Sequence, residues 1–169
     1  MRAGRDERAR TRGAQRGSAS DLEALFRTHW PRAHRAAYLV THDAAAAEDI
    51  AQESFLAAIR ALDSFDRRRP FGPWLHRIVV NRAIDWARAR RLRSELELSE
   101  SLPAPSPPEE PGGDTLDALA RLSPEHRAVI VLRYLLEFTP GEIAEALDLP
   151  RGTVNSRLRR GLDALGEEL

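Results

Sequence analysis

Apolar side chains recur along most of this chain at intervals of three and four residues, which places them on one face of an α-helix. Pro31 interrupts the first of these stretches and predicts a break or a restart of its helix. No stretch alternates apolar and polar residues in the manner of a β-strand. The pattern predicts an all-α protein with helical stretches at about 21–40, 44–62, 73–93 and 115–169.

Two segments lack this pattern. Residues 1–20 carry six arginines among Gly, Ser and Ala, which predicts a disordered basic arm. Residues 95–114 contain five prolines, the Gly112–Gly113 pair and six acids, which is typical of a semi-extended linker. The sequence therefore predicts two small helical domains, at 21–94 and 115–169, joined by a flexible linker rich in proline and acids.

Residues 139–165 have the pattern of a helix-turn-helix, the motif that places its second helix in a DNA major groove. Thr139 and Glu142 are spaced as a capping box, and Pro140 suits the first helical position between them. Asp148-Leu149-Pro150 predicts the turn, because a proline disfavours helical geometry in the residue before it.

The second helix of this motif has two different sides. Val154, Leu158, Leu162 and Leu165 form an apolar stripe that predicts packing on the first helix. One alternative is a solvated, arginine-rich surface helix. The capped first helix, the short turn and the absence of any acid between 151 and 160 favour DNA binding instead. Residue types suited to base edges lie opposite the stripe, with Arg157 at the flank: Asn155, Ser156, Arg159 and Arg160.

The helix at about 44–62 also has a distinctive polar side, on which Leu56 is surrounded by charged and amide groups. An apolar centre with a charged rim is typical of a protein contact, although a single exposed leucine on a solvated helix is also common. The inward side is predicted to hold Ile50, Ser54, Phe55, Ala58, Ile59 and Leu62. The candidate contact residues are Asp49, Gln52, Glu53 and Leu56.

Residues 64–75 form a basic loop with interleaved aromatic residues, which suits single-stranded nucleic acid because cations contact phosphates and rings stack on bases. The competing interpretation buries the rings in the core. It is favoured for Trp74, and the sequence leaves both possibilities open for Phe65 and Phe71. The candidate residues of the loop and of the following helix face are Phe65, Arg67, Arg68, Arg69, Phe71, Arg77, Asn81, Ile84 and Arg88.

Composition narrows the classes of function. The formal net charge is zero, but residues 60–93 hold ten arginines against three acids. The chain has no cysteine, which excludes disulfides and thiol catalysis. It has no apolar run of membrane-spanning length and no signal-peptide pattern, so we expect a cytoplasmic protein. Five scattered histidines and the absence of a nucleophile or carboxylate pair predict no enzyme, no catalytic residue, no metal site and no cofactor.

Four motifs in order carry a resemblance to a known family. They are Ala47–Phe65, Phe71–Asp85, Leu122–Tyr134 and Gly152–Arg160, and the similarity that they carry covers about 21–94 and 115–169, essentially all of the foldable sequence. The chain resembles the extracytoplasmic-function sigma factors, the small two-domain members of the bacterial sigma-70 family.

This resemblance implies partners and roles. Core RNA polymerase would bind through the clamp helices of its largest subunit and the flap of the second-largest, with Asp49, Gln52, Glu53 and Leu56 on the clamp helices. The 65–73 loop and the Arg77/Asn81/Ile84/Arg88 face would hold the −10 non-template strand. The −35 duplex would meet Asn155, Ser156, Arg159 and Arg160, with Arg151, Thr153 and Arg157 toward phosphates.

Some points stay open at this level. Asn155 and Arg159 depart from the residue types common in the family at those places, so the −35 preference cannot be copied. The resemblance also leaves open an anti-sigma factor as a further partner. The alternative function is a stand-alone helix-turn-helix transcriptional regulator, which would footprint its operator without polymerase.

Overall fold

The computed structural model describes residues 2–100 and 114–168, and these ranges contain helices and no strand. The predicted all-α fold is confirmed. A 3₁₀ turn at Leu62–Ser64 and a π-helical turn at Val131–Leu135 supplement eight α-helices. The α-helices are α1 (Arg2–Gln15), α2 (Ala19–Thr41), α3 (Ala44–Arg60), α4 (Phe71–Glu100), α5 (Asp114–Arg121), α6 (Pro124–Ile130), α7 (Pro140–Leu147) and α8 (Arg151–Glu168).

The prediction of a disordered arm at 1–20 is wrong for most of that segment, because α1 is a helix that packs on α2 and α4. Its inward side holds the buried Thr11 and two polar residues, Glu7 and Gln15, that bond to the neighbouring backbone. Composition alone missed this, since the docking relies on hydrogen bonds rather than on large apolar side chains. Gly17 reverses the chain with a positive φ of 89°, and Ser18 then caps α2.

Pro31 does not break its helix, contrary to the sequence prediction, because α2 runs through it without interruption. The ring lies at the exposed surface, where the lost backbone bond is open to solvent. On its buried side α2 presents Leu25, Ala33 and Val40 to α3 and α4. Small side chains such as Ala33 allow α2, α3 and α4 to approach closely. Leu75 and Val79 of α4 fill the space between the three helices.

The boundary of the predicted linker also differs, because α4 continues to Glu100 instead of ending near 93. Residues 95–100 are therefore helical, and the remaining linker residues, 101–113, lie outside the described part of the chain.

The helix-turn-helix forms as predicted. The Thr139 hydroxyl accepts the backbone N–H of Glu142 at 3.3 Å, and the Glu142 carboxylate accepts the N–H of Thr139 at 2.7 Å. These reciprocal bonds complete the capping box and begin α7 at Pro140. The helix ends at Asp148, whose left-handed φ of 52° turns the chain into α8.

The predicted apolar stripe of α8 packs on the core at three of its four positions, including the partly buried Leu165, but not at Leu162. Val154 and Leu158 are buried against α6 and α7, but Leu162 is 41% exposed. Gly161 takes the inward place beside it, where an added Cβ would lie 2.8 Å from Ile130 Cδ1. The glycine thus permits close approach of α8 to α6, and Leu162, one residue later, lies on a more exposed side of the helix.

Helices α1–α4 form an N-terminal unit and α5–α8 a C-terminal unit, and the two pack against each other. Helix α4 contacts α6 and α7, while α2 contacts α5, α6 and the π turn. Ion pairs cross this boundary from Arg88 to Glu125 at 2.7 Å and from Arg32 to Glu137 at 3.6 Å. The sequence did not predict that the two units pack together. This packing determines which of the candidate residues are accessible.

Candidate nucleic-acid and polymerase interfaces

The acidic α3 surface, defined by Asp49, Gln52, Glu53 and Leu56, lies at the exterior as the helical pattern predicts. Leu56 is 51% exposed, so a large apolar group stands open beside three polar side chains. Glu53 pairs with Arg82 of α4 at 3.2 Å, whereas Asp49 has no ion pair within the described residues. The surface is therefore one free acid and one partly neutralised acid around an apolar centre.

An apolar pocket adjoins this surface, and the sequence did not reveal it. Ile59 was predicted to point inward but is 40% exposed, as is Phe26 of α2. Between α2 and α3 these residues border a pocket of about 270 Å³ with almost entirely apolar walls. Ile59 lies three residues after Leu56, so the two side chains are neighbours on the surface of α3. Together they form a larger exposed apolar area than Leu56 alone.

In the structure the basic loop is limited to residues 66–70, because α4 already begins at Phe71. Its three arginines are exposed. Arg68 folds back on Asp66, with its Nε 3.0 Å from a carboxylate oxygen that also accepts the Arg68 backbone N–H. The Arg68 guanidinium holds the pKa of Asp66 below its usual value. Arg67 and Arg69 have no ion pair within the described residues, so two cations of this loop are free to contact a polyanion.

Phe65 and Phe71 are buried and Trp74 is partly buried, so the structure favours the core interpretation over base stacking for these rings. Phe65 is 8% exposed and Phe71 only 3%. Their ring centroids lie 4.5 and 5.6 Å from that of Trp74, in tilted and edge-to-face arrangements. The rings anchor the ends of the basic loop to the core, and neither Phe65 nor Phe71 exposes a ring face large enough to stack on a base.

The α4 face, defined by Arg77, Asn81, Ile84 and Arg88, is only partly accessible. Arg77 is exposed, but Ile84 is 5% exposed because the C-terminal unit covers it. The Asn81 side-chain amide donates to the carbonyl of Ala146 in α7 at 2.9 Å. Arg88 bonds to Glu125, as above. Three of the four predicted residues of this face are thus engaged by the C-terminal unit.

A polar cleft of about 50 Å³ remains between the two units at this place. Partial burial alone would raise the pKa of Glu125, but the Arg88 guanidinium, with a smaller contribution from Arg157, holds it below its usual value. The Glu125 carboxylate is therefore charged, and it lies beside Arg88 of α4 and Arg157 of α8 at the boundary between the two units.

The α8 residues chosen from the sequence lie on the predicted side. Arg151, Asn155, Arg159 and Arg160 are exposed, and none of them has an ion pair within the described residues. Thr153 and Ser156 are half-buried, and the Ser156 hydroxyl donates to the Thr153 carbonyl at 3.0 Å.

Arg157 differs from its neighbours. It is half-buried and borders the polar cleft with Glu125 and Arg88. The sequence resemblance implied a phosphate contact for this residue, but here its charge is directed partly toward the boundary between the units.

The described residues contain neither a candidate metal site nor a candidate membrane span. Within the described residues no group of three or more His, Cys, Asp or Glu side chains could hold a metal ion. None of the helices described is both long and apolar enough to cross a bilayer.

Comparison with known proteins identifies the two units. The family model of Sigma-70 region 2 matches residues 25–93, and that of Sigma-70 region 4 matches residues 113–165. The chain is 38% identical over 165 residues to the ECF RNA polymerase sigma factor SigL of Mycobacterium tuberculosis, and the alignment covers 93% of each chain. This chain belongs to the sigma-70 family and is an ECF-type RNA polymerase sigma factor.

Other relatives agree with this assignment. SigW of Bacillus subtilis, another ECF sigma factor, is 38% identical over 140 residues, covering 73% of this sigma factor and 75% of SigW. The solved structure of CnrH in complex with the cytosolic domain of CnrY superposes with a TM-score of 0.72 at 29% identity and covers 96% of both chains. RpoE from Bartonella quintana, solved with the anti-sigma factor NepR, has a TM-score of 0.71 at 23% identity and supports the fold.

As a sigma factor the protein binds core RNA polymerase and promoter DNA. The match of both units to sigma regions removes the basis for the alternative of a stand-alone regulator. The α1 helix lies before residue 25 and thus outside both family models.

Proposed function

We propose that the acidic α3 surface is the contact with the polymerase clamp helices and that α8 reads the −35 element. The observation that carries this assignment is the exposure of Asn155, Arg159 and Arg160 on a helix that a completed capping box and turn hold in place. These side chains have the donors and acceptors that recognise base edges. Arg151 begins the same helix, where a phosphate is favoured.

For the −10 element the free cations are Arg67, Arg69 and Arg77. Asn81, Ile84 and Arg88 join them only after the C-terminal unit leaves the α4 face, because Ala146 and Glu125 occupy their polar groups in the packed form. Core polymerase would hold the two units apart and so expose the α4 face, whereas Asn155, Arg159 and Arg160 of α8 are already exposed in the packed form. In this scheme the factor has no catalytic residue and works in the cytoplasm as an initiation factor.

The relatives solved with partner proteins, CnrH with CnrY and RpoE with the anti-sigma factor NepR, support an anti-sigma partner for this chain as well. The exposed apolar side chains Phe26, Leu56 and Ile59 are accessible to such a partner.

The proposed function is tested by run-off transcription of genomic fragments with core polymerase, with mapping of the start sites. We expect initiation only when both factor and core are present, and a footprint over −35 and −10 only for the holoenzyme. An equally strong footprint by the factor alone would contradict the proposal and revive a stand-alone regulator.

A further inference from the structure

Helix α1 is fixed to both ends of the segment that carries the basic loop. The Gln15 side-chain amide donates to the carbonyls of Leu62 and Phe65, at 2.8 and 3.1 Å. At the other end, a Glu7 carboxylate oxygen accepts the backbone N–H groups of Phe71 and Gly72, at 2.7 and 3.3 Å. These bonds place α1 alongside the loop and at the start of α4.

Glu7 is held in place as an anion. Its second carboxylate oxygen lies 3.4 Å from Nε2 of the buried His29. Interaction with His29, opposed by partial burial and supported by the two backbone donors, keeps the pKa of Glu7 below its usual value. A charged carboxylate at the first turn of α4 is favourable for the helix dipole. The ion pair described for Glu7 joins it to His29 and not to an arginine of α1.

The arginine row consists of Arg5, Arg8 and Arg12 of α1 and of Arg16, which directly follows the last residue of the helix. The spacing of three and four places the first three on one side of α1. All four are exposed, and none has an ion pair within the described residues. By contrast, Arg27, Arg82, Arg88 and Arg90 each have a carboxylate partner.

The row adjoins the basic loop. Arg8 and Arg12 precede Gln15 by seven and three residues and therefore share its side of α1. Since Gln15 bonds to the carbonyls of Leu62 and Phe65, these arginines lie next to the segment that leads into the loop. Exposed cations of α1 and of the basic loop are thus both connected to the segment that Gln15 binds.

The residue types of the arginine row favour a nucleic acid over a protein as its partner. The described outward residues of α1 include no large apolar side chain, whereas a protein interface has an apolar centre. Arginine forks match phosphate oxygens bidentately. Arg5 and Arg12 are seven residues apart, or about 10 Å at the α-helical rise, so the helical part of the row is long enough to contact successive phosphates of one DNA strand.

We propose that α1 is an additional promoter-binding element, whose arginine row contacts the DNA sugar-phosphate backbone beside the segment held by the basic loop. This inference rests on the proposed −10 role of that loop. It assigns the contact to a helix that lies outside both family models, and it implies that α1 adds affinity without base preference.

The test compares two double variants of the full chain that remove the same charge. R8Q/R12Q removes the two arginines next to the loop, and R10Q/R35Q removes two exposed arginines elsewhere. Each is assembled with core polymerase, and promoter affinity is measured across a potassium chloride series. We expect R8Q/R12Q to weaken binding about tenfold near physiological salt and to reduce the log–log salt slope by about one to two, since each lost phosphate contact contributes roughly 0.7 to 0.9.

The control variant should follow the wild type, and core binding should be unchanged for both. An equal loss in R10Q/R35Q would indicate only the overall field of the protein and would overturn the proposal, as would an unchanged slope in R8Q/R12Q. Binding of the wild type, but not of R8Q/R12Q, to anionic lipid vesicles with no effect on promoter affinity would assign the row to membranes instead.

A third variant separates charge from position. E7A/Q15A keeps all four arginines of the row but removes the bonds that dock α1 on the loop. We expect the same reduction in salt slope as in R8Q/R12Q, and a wild-type slope would overturn the docked geometry. If wild-type holoenzyme shows no promoter-dependent binding at all, the proposed function itself fails, which is a different outcome from any of these.

Discussion

The rings of Phe65, Phe71 and Trp74 meet beneath the basic loop, where they anchor exposed arginines to the core. Truncation of Phe65 to alanine should lower the free energy of unfolding by about 3 to 5 kcal/mol, because it leaves a cavity in a packed site. Arg67→Ala should change it by less than about 0.5 kcal/mol, since the side chain is exposed and unpaired. Urea unfolding of both variants checks this, and similar values for the two would contradict the burial of Phe65.

His76 makes stability depend on pH. Burial, with smaller contributions from the charges of His29 and Arg32, lowers its pKa from 6.5 to about 4, against the opposing effect of Glu7. Below pH 6.5 His76 is therefore protonated in the unfolded chain but stays neutral in the folded chain until about pH 4. The free energy of unfolding thus decreases as the pH falls below 6.5, and this contribution is fully retained above pH 6.5. Between pH 7 and pH 5 we expect a loss of about 2 kcal/mol from this group.

The matched variant is His76→Leu, since Nε2 of His76 is buried without a hydrogen-bond partner in the described structure. Urea unfolding at pH 5, 6 and 7 should show a flatter pH dependence for the variant. Other groups, including His42 with its lowered pKa, contribute equally to both proteins and cancel in the difference. Parallel pH curves would mean that His76 takes up its proton in the folded state.

At the scale of an element, α8 should divide into base readers and phosphate anchors. Arg160→Ala should cost roughly 1 to 3 kcal/mol and relax the choice at one base pair. Arg151→Ala should weaken all sequences about equally and lower the salt slope by about one. Selection from a randomised −35 library by the holoenzyme, at two salt concentrations, distinguishes them. If Arg151→Ala changes the selected motif and Arg160→Ala does not, α8 docks in a different register.

Helix α3 offers a second test at this scale. D49R/E53R should weaken binding to core polymerase by about 2 kcal/mol or more, because charge reversal opposes a complementary surface. Glu53 also pairs with Arg82, so Arg82→Ala is the control that breaks this pair without reversing the charge of α3. A pull-down titration should show a loss only for the first variant. Equal losses would attribute the effect to the intramolecular pair.

The elements themselves were largely predictable because their signals are local. Thr139 and Glu142 are three residues apart, so the capping box could be identified in the sequence and its bonds are now seen. The apolar period also predicted the inward Val154 and Leu158. Leu162 was placed wrongly because Gly161 lets α8 approach Ile130 closely, which depends on a distant part of the chain.

Helix α1 shows that an element can also form where the sequence has no local signal for it. It has no apolar period, and its docking depends on Glu7 and Gln15 finding backbone groups more than 40 residues away. For the candidate site, residue types could predict the exposed arginines. They could not predict which rings are buried, as Phe65 and Phe71 are, or that the C-terminal unit covers Ile84.

At the scale of the whole molecule, the packing of the two units should be adjustable by single charges. Glu125→Arg replaces the attraction to Arg88 with repulsion. Because a partly exposed pair contributes only about 0.2 to 1 kcal/mol, we expect roughly two- to fivefold stronger binding of a single-stranded −10 oligonucleotide by the free factor.

Glu95→Arg is the control for this variant, since it makes the same charge change against Arg91 within α4. It should leave oligonucleotide affinity at the wild-type level. Equal gains in both variants would mean that added positive charge, and not separation of the units, causes the effect.

The pairing of Arg88 with Glu125 also makes promoter binding an exchange reaction at this residue. A guanidinium that leaves a carboxylate to meet a phosphate passes from one anion to another, and the Glu125 carboxylate then attracts Arg157 and solution cations more strongly. Part of the ion release from the DNA is thus offset at the protein. Arg88 can therefore contribute to contact geometry while adding little to the ionic-strength dependence, whereas the exposed Arg77 contributes a full released ion.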